Sequence, residues 1–136
     1  MPTQLNPYLG FDGNCEEAVN FYAGVLGAEI TMLSRYGESP MPCSDEEKQL
    51  IMHARLVFEN NVMMFSDMPK HAKQNPEGNI TLSLGMDNVA DMEAKFNAMA
   101  EGGTVTMPLA DQFWGARFGM VKDKFGINWM FNCEKK

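Results

Sequence analysis

Along this chain the apolar positions switch between two periods, and they do so in the same order twice. Stretches that alternate apolar and polar residues, as half-buried strands do, surround runs whose apolar residues recur every three or four positions, as on one face of a helix. Leu5 to Phe11 predicts a short strand, with Pro7 near its start as an edge strand tolerates. Asn14 predicts a helix cap, and Glu17 three residues later completes a capping-box pattern. Ala18, Phe21, Tyr22, Val25 and Leu26 then form one apolar stripe, and Gly27 marks its end. Glu29 to Tyr36 predicts a strand, and Gly37 to Lys48, with its prolines and acidic residues, an exposed loop. Leu50 to Phe58 and Val62 to Ser66 predict two strands joined across Glu59-Asn60-Asn61.

The second round begins at Asn79 to Gly85, where Ile80, Leu82 and Leu84 alternate with polar neighbours. Asn88 caps the next helical stripe, Val89, Met92, Phe96 and Met99, which Gly102-Gly103 ends. Strands over Thr104 to Leu109, Gly115 to Val121 and Ile127 to Cys133 follow. The two helix caps and the two helix stops are offset by nearly the same distance, which points to a duplicated unit longer than a solenoid repeat. The expected fold is α+β: two βαβββ modules forming curved, mostly antiparallel sheets around a concave pocket, with one helix per module on the outer face. The modules span about 1–67 and 77–136 of a single domain, with a connector at 68–76.

Composition narrows the partners. The 136 residues, 45% hydrophobic and 21% charged, make one soluble domain with a sizeable core. A net charge of -7 repels phosphate backbones, so nucleic acid is not an expected partner. No apolar run approaches a membrane span, and the first residues carry no secretion pattern. Cys15, Cys43 and Cys133 are odd in number and far apart, against a disulfide framework or structural zinc and in keeping with a reducing cytoplasm.

Candidate chemistry gathers near the end of the chain, where Asp111 to Gly119 and Asp123 to Trp129 bring together both tryptophans, Arg117 and three glycines. Aromatics with one arginine suit a small-molecule wall, and equally suit a hairpin packing its rings inward. Arg117 beside Trp114 can clamp an oxyanion or pair with Asp111. His53, read as sharing a strand face with Ile51, Arg55 and Val57, is the residue best suited to move a proton near neutral pH. Tyr8 and Tyr36 offer hydrogen bonds, and Asn6, Asn79, Asn128 and Asn132 offer neutral amides.

The double βαβββ order, the run Asn14-Cys15-Glu16-Glu17-Ala18-Val19-Asn20-Phe21-Tyr22 with Leu26-Gly27-Ala28-Glu29, and the closing Asp123-Lys124-Phe125-Gly126-Ile127-Asn128-Trp129 resemble the vicinal oxygen chelate superfamily. That superfamily includes glyoxalase I, extradiol dioxygenases, fosfomycin-resistance transferases and bleomycin-resistance proteins. The resemblance extends to its PhnB-like branch, in which Phe113 to Met120 and Met52-His53-Ala54 followed by Leu56 recur. Members of that branch often bear a methyltransferase-type name, yet no glycine-rich strand-to-helix turn for a nucleotide methyl donor is present.

The resemblance implies four metal positions on the first and last strands of the two halves. Carried over, they fall on Asn6, Met64, Asn79 and Met130. Neutral amides and thioethers are poor ligands for the usual divalent ions, so no metal and no other cofactor is expected. The expected function is then a small-molecule-binding protein that holds or sequesters an organic ligand through Asn6, Tyr8, Met64, Asn79, Trp114, Arg117, Asn128 and Met130. The alternative is a glyoxalase-type lyase or isomerase, dependent on a metal or on His53. The resemblance also implies a homodimer.

Overall fold

The computed structural model describes residues 5–40, 42–67, 80–112 and 115–134, and its contacts divide the chain into two compact units, 1–74 and 75–136. The expected connector, Asn79 and Trp114 lie outside the described residues. Unit 1 contains β1 (Tyr8–Phe11), α1 (Cys15–Leu26), β2 (Glu29–Arg35), a short 3-10 turn, β3 (Ile51–Phe58) and β4 (Asn61–Asp67). Unit 2 contains β5 (Leu82–Met86), α2 (Val89–Ala100), β6 (Thr104–Asp111), β7 (Ala116–Lys122) and β8 (Asn128–Glu134). Each unit is one four-stranded sheet, in the orders β1-β4-β3-β2 and β5-β8-β7-β6. In each, the first strand pairs in parallel with the last and the other pairings are antiparallel. This is the expected pair of βαβββ modules.

Each helix covers one face of its own sheet. In unit 1, Ala18, Val19, Tyr22 and Leu26 of α1 are buried together with Ile51, Ala54, Leu56, Met63 and Phe65. The Phe65 ring stacks between Tyr22 at 5.8 Å and Phe11 at 6.2 Å, between centroids. In unit 2, Met92, Phe96 and Met99 of α2 are buried with Val121, Trp129, Phe131 and Cys133, and Phe96 meets Phe131 edge-on at 5.3 Å. Burying an aromatic side chain of this kind stabilises by about 2–3 kcal/mol. Trp129, expected near a ligand wall, is 1% exposed on the helix-covered face, with its indole N–H donated to the buried Asp123 carboxylate at 2.8 Å. The same carboxylate accepts the backbone N–H groups of Phe125 and Ile127, which closes the β7-β8 turn.

The helix starts differ, and one expectation fails. Asn88 caps α2 as expected, its side chain accepting from the Asp91 N–H at 2.8 Å. Asn14 makes no side-chain cap hydrogen bond, and no capping box forms in α1. Instead Asp67, at the end of β4, supplies the acceptor: its Oδ1 receives the N–H groups of Gly13 and Cys15, at 2.9 and 3.0 Å. Its Oδ2 receives the Ile51 N–H at 2.8 Å, and its backbone carbonyl accepts the Tyr36 hydroxyl. A carboxylate at a helix N-terminus satisfies orphan donors and opposes the helix dipole. Glu16, beside the unused Asn14, forms a paired ion bridge with Arg35, Nη1 to Oε1 at 3.1 Å and Nη2 to Oε2 at 2.6 Å, and ties α1 to β2. That hydrogen bond holds the Glu16 carboxyl below its usual range. At the far end Gly27 takes the left-handed conformation, φ 64, as expected of a helix stop.

Two expectations follow. Asp67→Asn replaces an acceptor by a donor opposite buried N–H groups and is expected to lower unfolding free energy by about 2–4 kcal/mol. A urea midpoint equal to that of the wild type would contradict this. Burial, then Asp67 and Glu16, push the Cys15 thiol from 9.0 up to about 12. The unfolded thiol ionises near its ordinary value while the folded one stays protonated, so this contribution is intact below about pH 9 and falls away towards pH 12. In native protein a thiol reagent is therefore expected to modify the half-buried Cys43, and to reach the buried Cys15 and Cys133 only after denaturant is added.

Candidate functional site

With the helices covering one face, the other face of each sheet is open, and register decides which side chains meet there. In unit 1 the pairings Tyr8–Met64, Met64–Arg55 and Arg55–Met32 place four residues in one row across β1, β4, β3 and β2. Adjacent strands lie about 4.8 Å apart, so the row is about 14 Å long. Tyr8 and Met32 are 48% and 47% exposed, Met64 is half-buried and Arg55 exposed. Their strand neighbours Ala54, Leu56, Met63 and Phe65 are buried on the helix side, as alternation requires.

His53 stands beside this row. Its Nδ1 lies 3.2 Å from the Tyr8 hydroxyl, and the two rings are tilted at 5.7 Å between centroids. The Nε2 has no hydrogen-bond partner among the described residues. The face expected for His53 needs one correction. The register between β2 and β3 shifts between the Ser34–His53 and Arg35–Ile51 pairs, so Ile51 turns into the core while His53 stays with Arg55 on the open face. Tyr36 is used structurally, against the backbone of Asp67. Asn6 lies half-buried just before β1, two residues ahead of Tyr8.

Unit 2 repeats the row with other side chains. Ser83–Met130, Met130–Met120 and Met120–Met107 occupy the places of Tyr8, Met64, Arg55 and Met32. Met64 and Met130 are thus equivalent positions in their units. Asn79, expected as the counterpart of Asn6, lies outside the described residues. Asn128 and Asn132 flank Met130 on β8, all three half-buried on the open face.

Arg117 sits on the opposite face. It pairs with Cys133 in β8, whose side chain is buried beneath α2. Its guanidinium reaches Glu93 of α2 and Asp111 of β6, each at 3.2 Å. Of the two sequence readings, the structure shows the pairing with Asp111, and it separates Arg117 from the Asn128–Met130 face. The arginine that faces an open sheet is Arg55. Of the chain's arginines, Arg35 pairs with Glu16 and Arg117 with Glu93 and Asp111, whereas the Arg55 side chain has no ion pair or hydrogen bond among the described residues. Its signal in the sequence was the alternation with Ala54 and Leu56, which fixes its face once the core is known.

The donors at the described positions do not fit the divalent metal that the fold implies. Of the four carried-over positions, Asn6 offers a neutral amide and Met64 and Met130 offer thioethers, and the first-strand register partners of those thioethers are the Tyr8 phenol and the Ser83 hydroxyl. Among the described residues no three His, Cys, Asp or Glu side chains gather closely enough to hold an ion. Hard and borderline divalent ions need imidazole, carboxylate or thiolate.

Comparison with known proteins agrees with this architecture. The family model of the Glyoxalase/Bleomycin resistance protein/Dioxygenase superfamily matches residues 4–131. Protein YjdN of Escherichia coli K12 is 33% identical, over 97% of this chain and 96% of its own. The crystal structure of PA1353 from Pseudomonas aeruginosa is 44% identical with a TM-score of 0.91, covering 99% of this chain and 100% of that one. The PhnB protein from Bacillus cereus is 25% identical with a TM-score of 0.78, over 96% and 99% of the two chains. Two βαβββ units with a helix behind each sheet, and a family match over nearly the whole length, identify this chain as a member of the glyoxalase/bleomycin resistance/dioxygenase superfamily with PhnB-like structural neighbours.

Proposed function

We propose that this protein binds or sequesters a small organic molecule on an open sheet face, without the divalent metal used by catalytic members of its superfamily. The observation that carries the reading is the row Tyr8–Met64–Arg55–Met32, in which the residue at the last-strand metal position is a thioether. Methionines adapt to irregular apolar shapes, and Tyr8 supplies a rigid ring with a polar tip. The second row, Ser83–Met130–Met120–Met107 with Asn128 and Asn132, is softer and neutral. It suits apolar contact and amide hydrogen bonds.

A second reading, a metal-free lyase or isomerase, is favoured by the Tyr8–His53 contact. The contact with the Tyr8 hydroxyl engages Nδ1 and leaves Nε2 for proton transfer. His53→Gln separates the two readings: in a binder it alters affinity alone, whereas in an enzyme it lowers kcat by about a hundredfold or more with binding retained. The free cysteines and the absence of any long apolar helix among the described residues support a cytoplasmic protein, and the family supports a homodimer. Light scattering is expected to give about twice the chain mass of 15.2 kDa, and a monomer would contradict it.

A thermal-melt screen tests the main reading, since a ligand that binds only the native state raises the midpoint. Organic metabolites are expected to include stabilisers, while zinc, nickel, iron(II) and manganese leave the midpoint unchanged and elemental analysis finds none in stoichiometric amount. A large shift with one of these ions, or one such ion per chain, would overturn the binder without a metal.

A further inference from the structure

Arg55 gives the unit 1 face a chemical preference that its other residues do not. Resting on the reading of that face as the ligand site, we propose that the ligand is an organic anion. Its carboxylate, sulfonate or phosphate group is held by Arg55, and its apolar body lies across Met32, Met64 and Tyr8. Three observations converge on this. The guanidinium is flanked in register by the thioethers of Met64 and Met32, so no carboxylate occupies either neighbouring strand position in its row. Both other arginines are engaged by acidic residues, in a chain with acidic groups to spare at net charge -7. Arg55 alone is left without such a partner among the described residues, on a face where 48% of Tyr8 and 47% of Met32 meet solvent. In unit 2 the equivalent place is Met120, so the cation belongs to one face and is not part of the repeated pattern.

The chemistry fits one class of ligand. A guanidinium binds an oxyanion through two parallel N–H···O hydrogen bonds, which fixes orientation as well as charge. His53 precedes Arg55 by two residues on the same face of β3, about 7 Å away by strand rise, and its Nε2 can meet a second polar group of the ligand. The overall negative charge repels anions at long range, so anion binding here depends on this local cation rather than on the general field.

Two naphthalene probes of similar shape test the proposal: 8-anilinonaphthalene-1-sulfonate, which is anionic, and N-phenyl-1-naphthylamine, which is neutral. Their fluorescence rises on entering an apolar site, and affinities are compared for wild type, Arg55→Met, Arg55→Lys and Met32→Gln. The wild type is expected to bind the sulfonate more tightly than the neutral amine. Arg55→Met is expected to weaken the sulfonate about tenfold and leave the amine unchanged, with Arg55→Lys between the two. Met32→Gln is expected to weaken both probes, which places them on this face. An unchanged melting midpoint for Arg55→Met would agree with a side chain that has no structural partner. Equal binding of both probes, weakened by Met32→Gln but indifferent to Arg55, would overturn the anion and leave the site. Binding of neither probe, or binding indifferent to Met32 and Arg55 alike, would overturn the site and the anion together.

Discussion

The buried carboxylate of Asp67 fixes the geometry of unit 1. It accepts three backbone N–H groups, from Gly13 and Cys15 at the start of α1 and from Ile51 at the start of β3. A single side chain at the end of β4 therefore ties the helix to two strands, with an acceptor for donors that burial would otherwise leave unsatisfied. Because β4 is central and pairs with both β1 and β3, fixing its end fixes which residues of those strands share a row. The open face, Tyr8 to Met32, is the other side of that constraint. Unit 2 reaches the same topology by different means: Asn88 caps its own helix, and Asp123 secures the β7-β8 turn and the Trp129 indole.

The two units share a frame and differ in their open faces. On the helix-covered sides both units pack aromatic and thioether side chains, as burial demands. On the open sides, equivalent positions read Tyr-Met-Arg-Met in unit 1 and Ser-Met-Met-Met in unit 2. Side chains that point away from the core are not held to one shape by packing, so chemistry can differ there without disturbing the fold. Two thioether positions are common to both rows, Met64 and Met130 on the last strands and Met32 and Met107 on β2 and β6.

Periodicity made the fold legible. The stripes through Ala18–Leu26 and Val89–Met99 and the alternation in β3, β4, β7 and β8 require only local information, and each element was placed to within a few residues. What escaped depended on distant partners. The capping box at Asn14 and Glu17 was a sound local pattern, but an acceptor 52 residues downstream of Cys15 occupies the helix start instead. The bulge that turns Ile51 inward while His53 stays outward arises from pairing with β2, which alternation along one strand cannot reveal. Arg117 drew notice through its aromatic neighbours, yet the Glu93 that engages it lies in another element. Arg55 was placed on the His53 face but not singled out as a ligand residue, since an arginine with no partner is recognised only once every candidate partner has been placed.

The central claim is that the unit 1 open face, built from uncharged donors and one cation, receives an organic molecule and no metal ion. The most direct test is carbon-13 methyl NMR of the methionines, whose ε-methyl groups report from both faces of the sheets. Titration with stabilising organic anions is expected to shift the Met32 and Met64 signals first, with the buried Met92 and Met99 unmoved and manganese(II) causing no selective broadening. Broadening of Met64 by stoichiometric manganese(II), or ligand shifts that bypass Met32 and Met64, would contradict the account.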